Sequence, residues 1–130
     1  MTMAIVKKEK PLSNLCYGLS LQEFNCKCDM CDATIYDRKL LQAYGKFRYL
    51  LGVPIIITCG YRCPYHNKEI GGAKLSRHIL GQALDMGLKE ILQVLKTTAT
   101  IKEKLIQCGF TYVEINVERG YIHADVRGLT

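Results

Sequence analysis

Residues 58–85 contain the side chains with the clearest potential for chemistry. His78 and Asp85 lie in this stretch, and the fragment YIHADVR near the C-terminus contributes His123. Two imidazoles and one carboxylate are a usual ligand set for zinc, and three protein ligands leave the fourth position open, as in catalytic zinc sites. The residues therefore predict a zinc hydrolase with one catalytic Zn²⁺ ion, and the rest of the chain must bring these side chains together.

The size and composition of the chain fit one folded domain. It has 130 residues, of which 48% are apolar and 23% charged, and this balance is typical of a globular protein. No apolar run approaches the length of a membrane span, and residues 1–14 lack the long apolar segment of a secretory signal. We expect a flexible N-terminal arm over residues 1–14 and a single domain over residues 15–130, acting as a monomer.

The net charge of +6 favours an anionic partner, such as a cell-wall polymer, a nucleic acid or a membrane surface. The basic residues are spread along the chain, apart from Lys7, Lys8 and Lys10. No basic stripe alternates with aromatic residues, so we expect no nucleic-acid partner.

Seven cysteines are an odd number, so they cannot all pair within one chain. Three of them, Cys26, Cys28 and Cys31, form a CxCxxC cluster. Disulfides, a structural zinc site and buried thiols all fit this pattern, although the lack of a visible signal sequence argues against disulfides.

Helical spacing of apolar residues predicts a helix over residues 37–51, and Gly52 fits its end. The β-branched run at residues 54–58, PIIIT, predicts a buried strand. Ser20 and Glu23 match the capping-box pattern and predict a short helix that begins there.

The second half of the chain alternates between helical and extended patterns. Residues 85–86 are predicted to lie on a strand, and residues 89–96 form a helix with its apolar residues inside. A second capping box at residues 100–103 predicts a helix that ends at Cys108, before Gly109.

Residues 110–117 and 121–126 alternate between apolar and polar side chains, which predicts a β-hairpin. With Arg119 and Gly120 as the two turn residues, Asn116 would lie opposite His123. Glu114 would then lie opposite Asp125, and these polar side chains would share one face. The predicted fold is α+β: a small antiparallel sheet that carries the zinc ligands on one face and helices on the other.

Four sequence segments together resemble peptidase family M15, the zinc D-alanyl-D-alanine carboxypeptidases and related peptidoglycan endopeptidases. They are FNCKCDMC, ITCGYRCPYHN, GGAKLSRHILGQALD and YIHADVR, and they follow one another in the family's order over roughly residues 20–127. The resemblance implies that His78, Asp85 and His123 bind the catalytic zinc. It implies peptidoglycan stem peptides as the substrate and, as the location, the bacterial cell envelope, the extracellular space or a phage lysis protein.

The same resemblance suggests roles for Arg62 and Ser76. Arg62, in GYR, would stabilise the oxyanion and contact the substrate; the alternative is an arginine that carboxylates hold in a structural role. Ser76 would hydrogen-bond the substrate, or else cap a local turn. His66, in CPYHN, is expected to be structural.

The general base is the point at which this sequence departs from the family's better-known pattern. Many relatives have Asp or Glu three residues before the last zinc histidine, where this chain has Gly120. Glu118 and Glu114 are the candidates in its place, and a solvated carboxylate is the alternative for each. Asp125 is a third candidate, but we expect it to orient His123 or to pair with Arg127.

The cysteine cluster resembles the family's own cysteine-rich segment, and Cys63 lies in the matching segment YRC. A four-sulfur zinc site from Cys26, Cys28, Cys31 and Cys63 is conceivable, although the spacing of Cys26 and Cys28 is tight for one ion. A disulfide between Cys63 and one of the cluster is equally compatible with the sequence.

Two other functions compete with a peptidase. The hedgehog signalling domain shares this kind of fold and zinc set without clear peptidase activity, so an inactive zinc-containing module that binds cell-wall peptide is the alternative. A zinc-knuckle protein for nucleic acid would use CxCxxC but leaves the His and Asp set unexplained.

Overall fold

The computed structural model describes residues 3–7, 14–16, 19–20, 24–28, 31, 33–74 and 76–128. Its helices are α1 (Arg38–Leu51), α2 (Pro64–Glu69), α3 (Lys89–Leu95) and α4 (Thr98–Cys108). Its strands are β1 (Met3–Lys7), β2 (Asn14–Cys16), β3 (Leu19–Ser20), β4 (Ala33–Asp37), β5 (Ile57–Cys59), β6 (Ala83–Gly87), β7 (Tyr112–Asn116) and β8 (Tyr121–Asp125). None of the described helices is both long enough and apolar enough to span a membrane.

A four-stranded antiparallel sheet in the order β5-β6-β8-β7 forms the centre of the molecule. β1 pairs with β4, and β2 pairs with β3, in two separate two-stranded sheets. The predicted α+β architecture, a small antiparallel sheet with helices, is confirmed.

The two faces of the central sheet differ in chemistry because side chains alternate along each strand. Leu84 and Met86 on β6, with Ile122 and Ala124 on β8, are fully buried in the main hydrophobic core together with apolar residues of α1, α3 and α4. The intervening residues of the same strands therefore face away from this core, and one of them is Asp85.

The helix predicted over residues 37–51 is confirmed as α1. The Asp37 carboxylate accepts a hydrogen bond of 2.9 Å from the Lys39 amide at its start, and Gly52 ends it with a left-handed φ of 74°. α4 ends at Cys108, with Gly109 as its C-cap, as predicted, but it begins earlier, at Thr98. The Thr97 hydroxyl accepts the amide hydrogen of Thr100, so capping occurs one turn before the predicted box.

Two predicted elements differ from the structure. The strand predicted at residues 54–58 is shorter and lies at Ile57–Cys59. Ser20, the predicted helix start, lies in β3, and residues 21–23 are outside the described part of the chain. Met3–Lys7, within the segment expected to be a flexible arm, form β1 and pair in register with β4.

The hairpin of β7 and β8 forms as predicted, but its register was wrong by two residues. Glu114 lies opposite His123, and Asn116 lies opposite Tyr121, so the turn has four residues, 117–120. The Asn116 side chain accepts a 2.8 Å hydrogen bond from the Arg119 amide and stabilises the longer turn. A shift of two residues keeps every side chain on its predicted face.

Gly81 lies in the turn between His78 and β6. We expect Gly81→Ala to destabilise the fold. Its φ is +68°, and an added Cβ would lie 2.4 Å from the carbonyl oxygen of Ile35. Backbone strain and this clash together should lower the free energy of unfolding by about 3 kcal/mol, measured by urea unfolding. Gly71→Ala is the matched control, because Gly71 has a similar φ of +72° and nothing within 4 Å, and should cost only about 1 kcal/mol. Equal losses in the two variants would contradict the steric argument.

Candidate active site

The central sheet and the turn that leads into β6 bring the three predicted zinc ligands together. Asp85 on β6 and His123 on β8 are direct cross-strand partners, and His78 lies in the turn that leads into β6. His78 Nε2 is 3.2 Å and His123 Nδ1 is 3.0 Å from the same oxygen, Asp85 Oδ1. The two imidazole rings are nearly perpendicular, with their centroids 5.2 Å apart. Residues far apart in the chain thus present two nitrogens and one oxygen to a common point.

The remaining nitrogen of each imidazole is held by the protein. His78 Nδ1 is 2.7 Å from the Gly60 carbonyl oxygen, and His123 Nε2 is 2.9 Å from Asp125 Oδ2. Histidines that bind metals usually donate their other ring N–H to a carbonyl or carboxylate in this way. The donor set therefore fits a divalent ion, with His78 Nε2, His123 Nδ1 and Asp85 as the ligands that would hold it.

Asp125 was expected to orient His123 or to pair with Arg127, and it contacts both residues. Asp125 contacts His123, and its carboxylate also accepts hydrogen bonds from the Arg127 guanidinium, the shortest of them 2.6 Å. Burial raises the pKa of Asp125, but its bonds to His123 and Arg127 outweigh burial and hold the pKa well below its usual range. Asp125 is fully buried and stays anionic, so it is suited to orienting the ring of His123.

Asp85 and the two histidines beside it stabilise each other's charged forms. Burial lowers the pKa of His78, but hydrogen bonds to Asp85 and Cys59 outweigh burial and raise it to about 9. Burial raises the pKa of Asp85, but the two histidines outweigh it and keep the pKa well below its usual range. A bound divalent ion would take the place of the imidazole protons in compensating this carboxylate.

Cys59 is an alternative third ligand by distance alone, since its sulfur lies within 4.8 Å of ligand atoms of His78 and Asp85. Its sulfur is 3.5 Å from His78 Nδ1, the nitrogen that also contacts the Gly60 carbonyl. The other nitrogen of that ring, Nε2, is the one that points to Asp85. Cys59 thus contacts the nitrogen of His78 that points away from Asp85, whereas His123 Nδ1 contacts Asp85 Oδ1 directly.

The family model described as Peptidase M15 matches residues 17–125, which is most of the chain. The chain belongs to the M15 peptidases. A comparison with curated proteins found no match. The predicted family is thus confirmed, and with it the assignment to metallopeptidases.

The three predicted ligands line a cavity of about 410 Å³. The side chain of His78 is only 4% exposed, whereas those of Asp85 and His123 are 19% and 17% exposed, so the ligand set is reached from the Asp85 and His123 side. Glu114 also lines the cavity and lies on β7 directly opposite His123. Glu118, the other predicted base, is exposed in the turn at residues 117–120 and is not among the residues that line the cavity.

Arg62 and Ser76 both line the cavity, and both also have structural contacts. Arg62 donates a 2.9 Å hydrogen bond to the Asn67 side chain and a 3.3 Å bond to Cys59, and its buried Nε has no partner among the described residues. Its restraints are therefore an amide and a thiol, in place of the carboxylates considered from the sequence. The Ser76 hydroxyl accepts a 3.2 Å bond from the His78 amide, so Ser76 does cap the local turn.

The structure adds four cavity residues that the sequence did not indicate as functional: Arg77, Tyr112, Tyr121 and Arg127. The Arg127 guanidinium lies 3.7 Å from the centre of the Tyr112 ring, a cation–π contact. Tyr112 and Tyr121 alternate with apolar residues along the hairpin in the same way as Glu114 and His123, and this alternation was the available signal for them. Arg77 carried no such signal, because its turn could not be oriented from the sequence.

The raised pKa of His78 gives the chelator-treated protein a characteristic pH dependence. A folded-state pKa of about 9, against an unfolded value of 6.5, contributes stability that is fully present below pH 6.5 and is lost as the pH rises through 9. We expect the free energy of unfolding in a chelator to fall by about 1–3 kcal/mol over this window, measured by urea unfolding. His78→Gln should remove most of this slope, and a stability that rises between pH 6.5 and 9 would contradict the expectation.

Proposed function

We propose that this M15 protein is a zinc-dependent peptidase that hydrolyses peptide bonds in peptidoglycan stem peptides. The observation that carries the proposal is the convergence of His78 Nε2 and His123 Nδ1 on Asp85 Oδ1 at the wall of an open cavity. His78, Asp85 and His123 would hold one zinc ion. When bound, zinc supplies Lewis acidity toward a carbonyl and lowers the pKa of water toward neutrality.

Glu114 is the residue that we assign as general base. It lies directly across from His123 on the neighbouring strand, on the cavity wall and exposed to solvent. Its carboxylate can accept a proton from the attacking water and return it to the leaving amine. This assignment is preferred over Glu118 because Glu118 lies beyond the end of β7, in the turn.

Arg62 is the residue that we assign to the developing negative charge of the substrate. Its guanidinium is held on the cavity wall by Asn67 and Cys59, so it needs little reorganisation when charge develops nearby. Ser76 lies on the same wall, and its hydroxyl can hydrogen-bond the peptide in addition to capping the turn.

The charge of the cavity supports an anionic peptide as the substrate. Arg62, Arg77 and Arg127 all line it, whereas its carboxylates are Asp85, beside the two histidines, and Glu114. Stem peptides of peptidoglycan carry free carboxylates, which arginine side chains bind well. Such a substrate suggests a place of action at the bacterial cell envelope, outside the cell, or in lysis by a phage.

The test is a digest of purified peptidoglycan with and without a chelator, read by mass spectrometry. We expect zinc-dependent loss of a terminal D-alanine or release of cross-linked or stem fragments, and the masses identify which bond is cut. Activity should return when zinc is added to the chelated protein. Zinc binding with no cleavage of any wall fragment would overturn the enzymatic proposal and favour the binding module.

A further inference from the structure

Four cysteine sulfurs converge at a place separate from the cavity. Cys28 Sγ lies 3.5 Å from Cys26 Sγ, 3.4 Å from Cys31 Sγ and 3.5 Å from Cys63 Sγ. All four sulfurs lie within 4.8 Å of one another, and none of the four cysteines lines the cavity. The cluster joins the segment that precedes β4 to the loop after β5.

We propose that Cys26, Cys28, Cys31 and Cys63 bind one divalent metal ion in a closed structural site, and that this ion is zinc. Four protein thiolates fill a tetrahedral shell and leave no position for water, which distinguishes structural zinc sites from catalytic ones. Four thiolates in a tetrahedral arrangement are typical of zinc or of iron–sulfur centres, and zinc binds them without redox chemistry.

The distances between the sulfurs favour a metal over disulfides. A disulfide bond is about 2.05 Å long, whereas the sulfur contacts here are 3.4–3.5 Å. A tetrahedral shell with zinc–sulfur bonds of about 2.3 Å has sulfur–sulfur edges of about 3.8 Å. The four sulfurs are therefore close to the spacing of an ion-centred tetrahedron, and the short separation of Cys26 and Cys28 in the chain does not prevent it.

The surroundings of the cluster suit metal-bound thiolates. Backbone amides point at two of the sulfurs: Cys63 N–H donates to Cys26 Sγ at 3.3 Å, and His66 N–H donates to Cys63 Sγ at 3.4 Å. Such bonds stabilise anionic sulfur. Binding of a divalent ion displaces the thiol protons to solvent, and no oxidant is required.

The ion would fix the backbone that supports the catalytic cavity. The Tyr61 amide donates a 2.7 Å hydrogen bond to the Phe24 carbonyl, and the Arg62 amide donates a 3.1 Å bond to the His78 carbonyl. Cys63 is also the N-cap residue of α2. The site thus ties residues 24–28 and Cys31 to the loop that carries Arg62, which gives the ion a role in stability and leaves the chemistry to the cavity.

The test is the zinc content of protein purified under reducing conditions, measured by inductively coupled plasma mass spectrometry. We expect two zinc ions per chain in the natural protein, one in Asp85→Ala and one in the double variant Cys28→Ser/Cys31→Ser, which keeps only two of the four thiolates. Cys108→Ser is the matched control, since Cys108 is a buried cysteine at the end of α4, and should retain two. Asp85 belongs to the ligand set of the cavity whether the third ligand is His123 or Cys59, so Asp85→Ala reports on the cysteine site alone. The result therefore does not depend on whether the chain cleaves peptidoglycan.

Cobalt substitution identifies the ligands. A thiolate-to-cobalt absorption band in the near ultraviolet should be present in Asp85→Ala and in the natural protein, and should disappear in Cys28→Ser/Cys31→Ser. If the double variant does not fold, the band in Asp85→Ala and protection of four thiols from alkylation by bound metal decide the question. An Asp85→Ala protein that holds no metal and shows no band, or four cysteines found oxidised as disulfides by mass spectrometry, would overturn the proposal.

Discussion

Replacing His123 with alanine is expected to remove the catalytic zinc and to lower kcat/KM on peptidoglycan fragments by more than about 10³-fold, a loss of several kcal/mol of transition-state stabilisation. His123 Nδ1 provides one of the two nitrogens that face Asp85 Oδ1. Its loss leaves one imidazole, one carboxylate and the Cys59 sulfur, which contacts the other nitrogen of His78, so zinc should be held much less tightly. The measurements are zinc content and the initial rate of fragment cleavage.

His66→Ala is the matched control for this variant. His66 is the one histidine of the chain that is not a predicted zinc ligand. It lies on α2 and is not among the residues that line the cavity. It should keep its zinc and its activity within about twofold of the natural protein, because the histidine outside the cavity makes no contact that the proposed chemistry needs. Unchanged cleavage in His123→Ala, with the fold intact by circular dichroism, would remove His123 from the proposed mechanism.

Local signals in the sequence were sufficient for α1 but not for every helix. α1 was predicted with its end at Gly52 because its buried residues recur at helical spacing and its caps lie within a few residues of it. The start of α4 was predicted at Thr100, three residues too late, since Thr97 and Thr100 both precede a helical pattern and both hydroxyls can cap. α2 was not predicted, although Cys63 and Pro64 form its start.

The register of the hairpin could not be fixed from alternation. A two-residue turn at Arg119 and Gly120 and the observed four-residue turn place the same side chains on the same face. The choice between them rests on one side-chain bond, from the Arg119 amide to Asn116, which a pattern of apolar residues does not contain. This two-residue difference decides whether Asn116 or Glu114 is the neighbour of His123.

The site was predictable as a set of residue types but only partly as a geometry. The motif around His78 and Asp85 indicated zinc ligands, and Asp125 was expected to orient His123, as it does. The Gly60 carbonyl that holds His78 was not predicted, because that contact arises from the long-range approach of β5 to the turn before β6. A backbone group carries no sequence signal of its own role, so contacts of this kind require the fold.

The other large expected effect on the rate distinguishes Glu114 from Glu118 as the general base. Glu114→Gln is expected to lower kcat by about 10²–10⁴-fold while zinc content stays the same, because glutamine keeps the size and hydrogen bonding of the side chain but cannot accept a proton. Glu114 lines the cavity opposite His123, whereas Glu118 lies in the exposed turn. Glu118→Gln on the same hairpin should therefore keep kcat within about twofold, as surface substitutions usually do.

The comparison of these two variants also separates a base from a residue that only shapes the cavity. Loss of a general base removes the acidic limb of the dependence of kcat/KM on pH, whereas a change in shape lowers the rate at every pH alike. We expect the acidic limb to be lost in Glu114→Gln and kept in Glu118→Gln. If the limb disappears in Glu118→Gln instead, the turn at residues 117–120 must fold toward the cavity when substrate binds, and the base is Glu118.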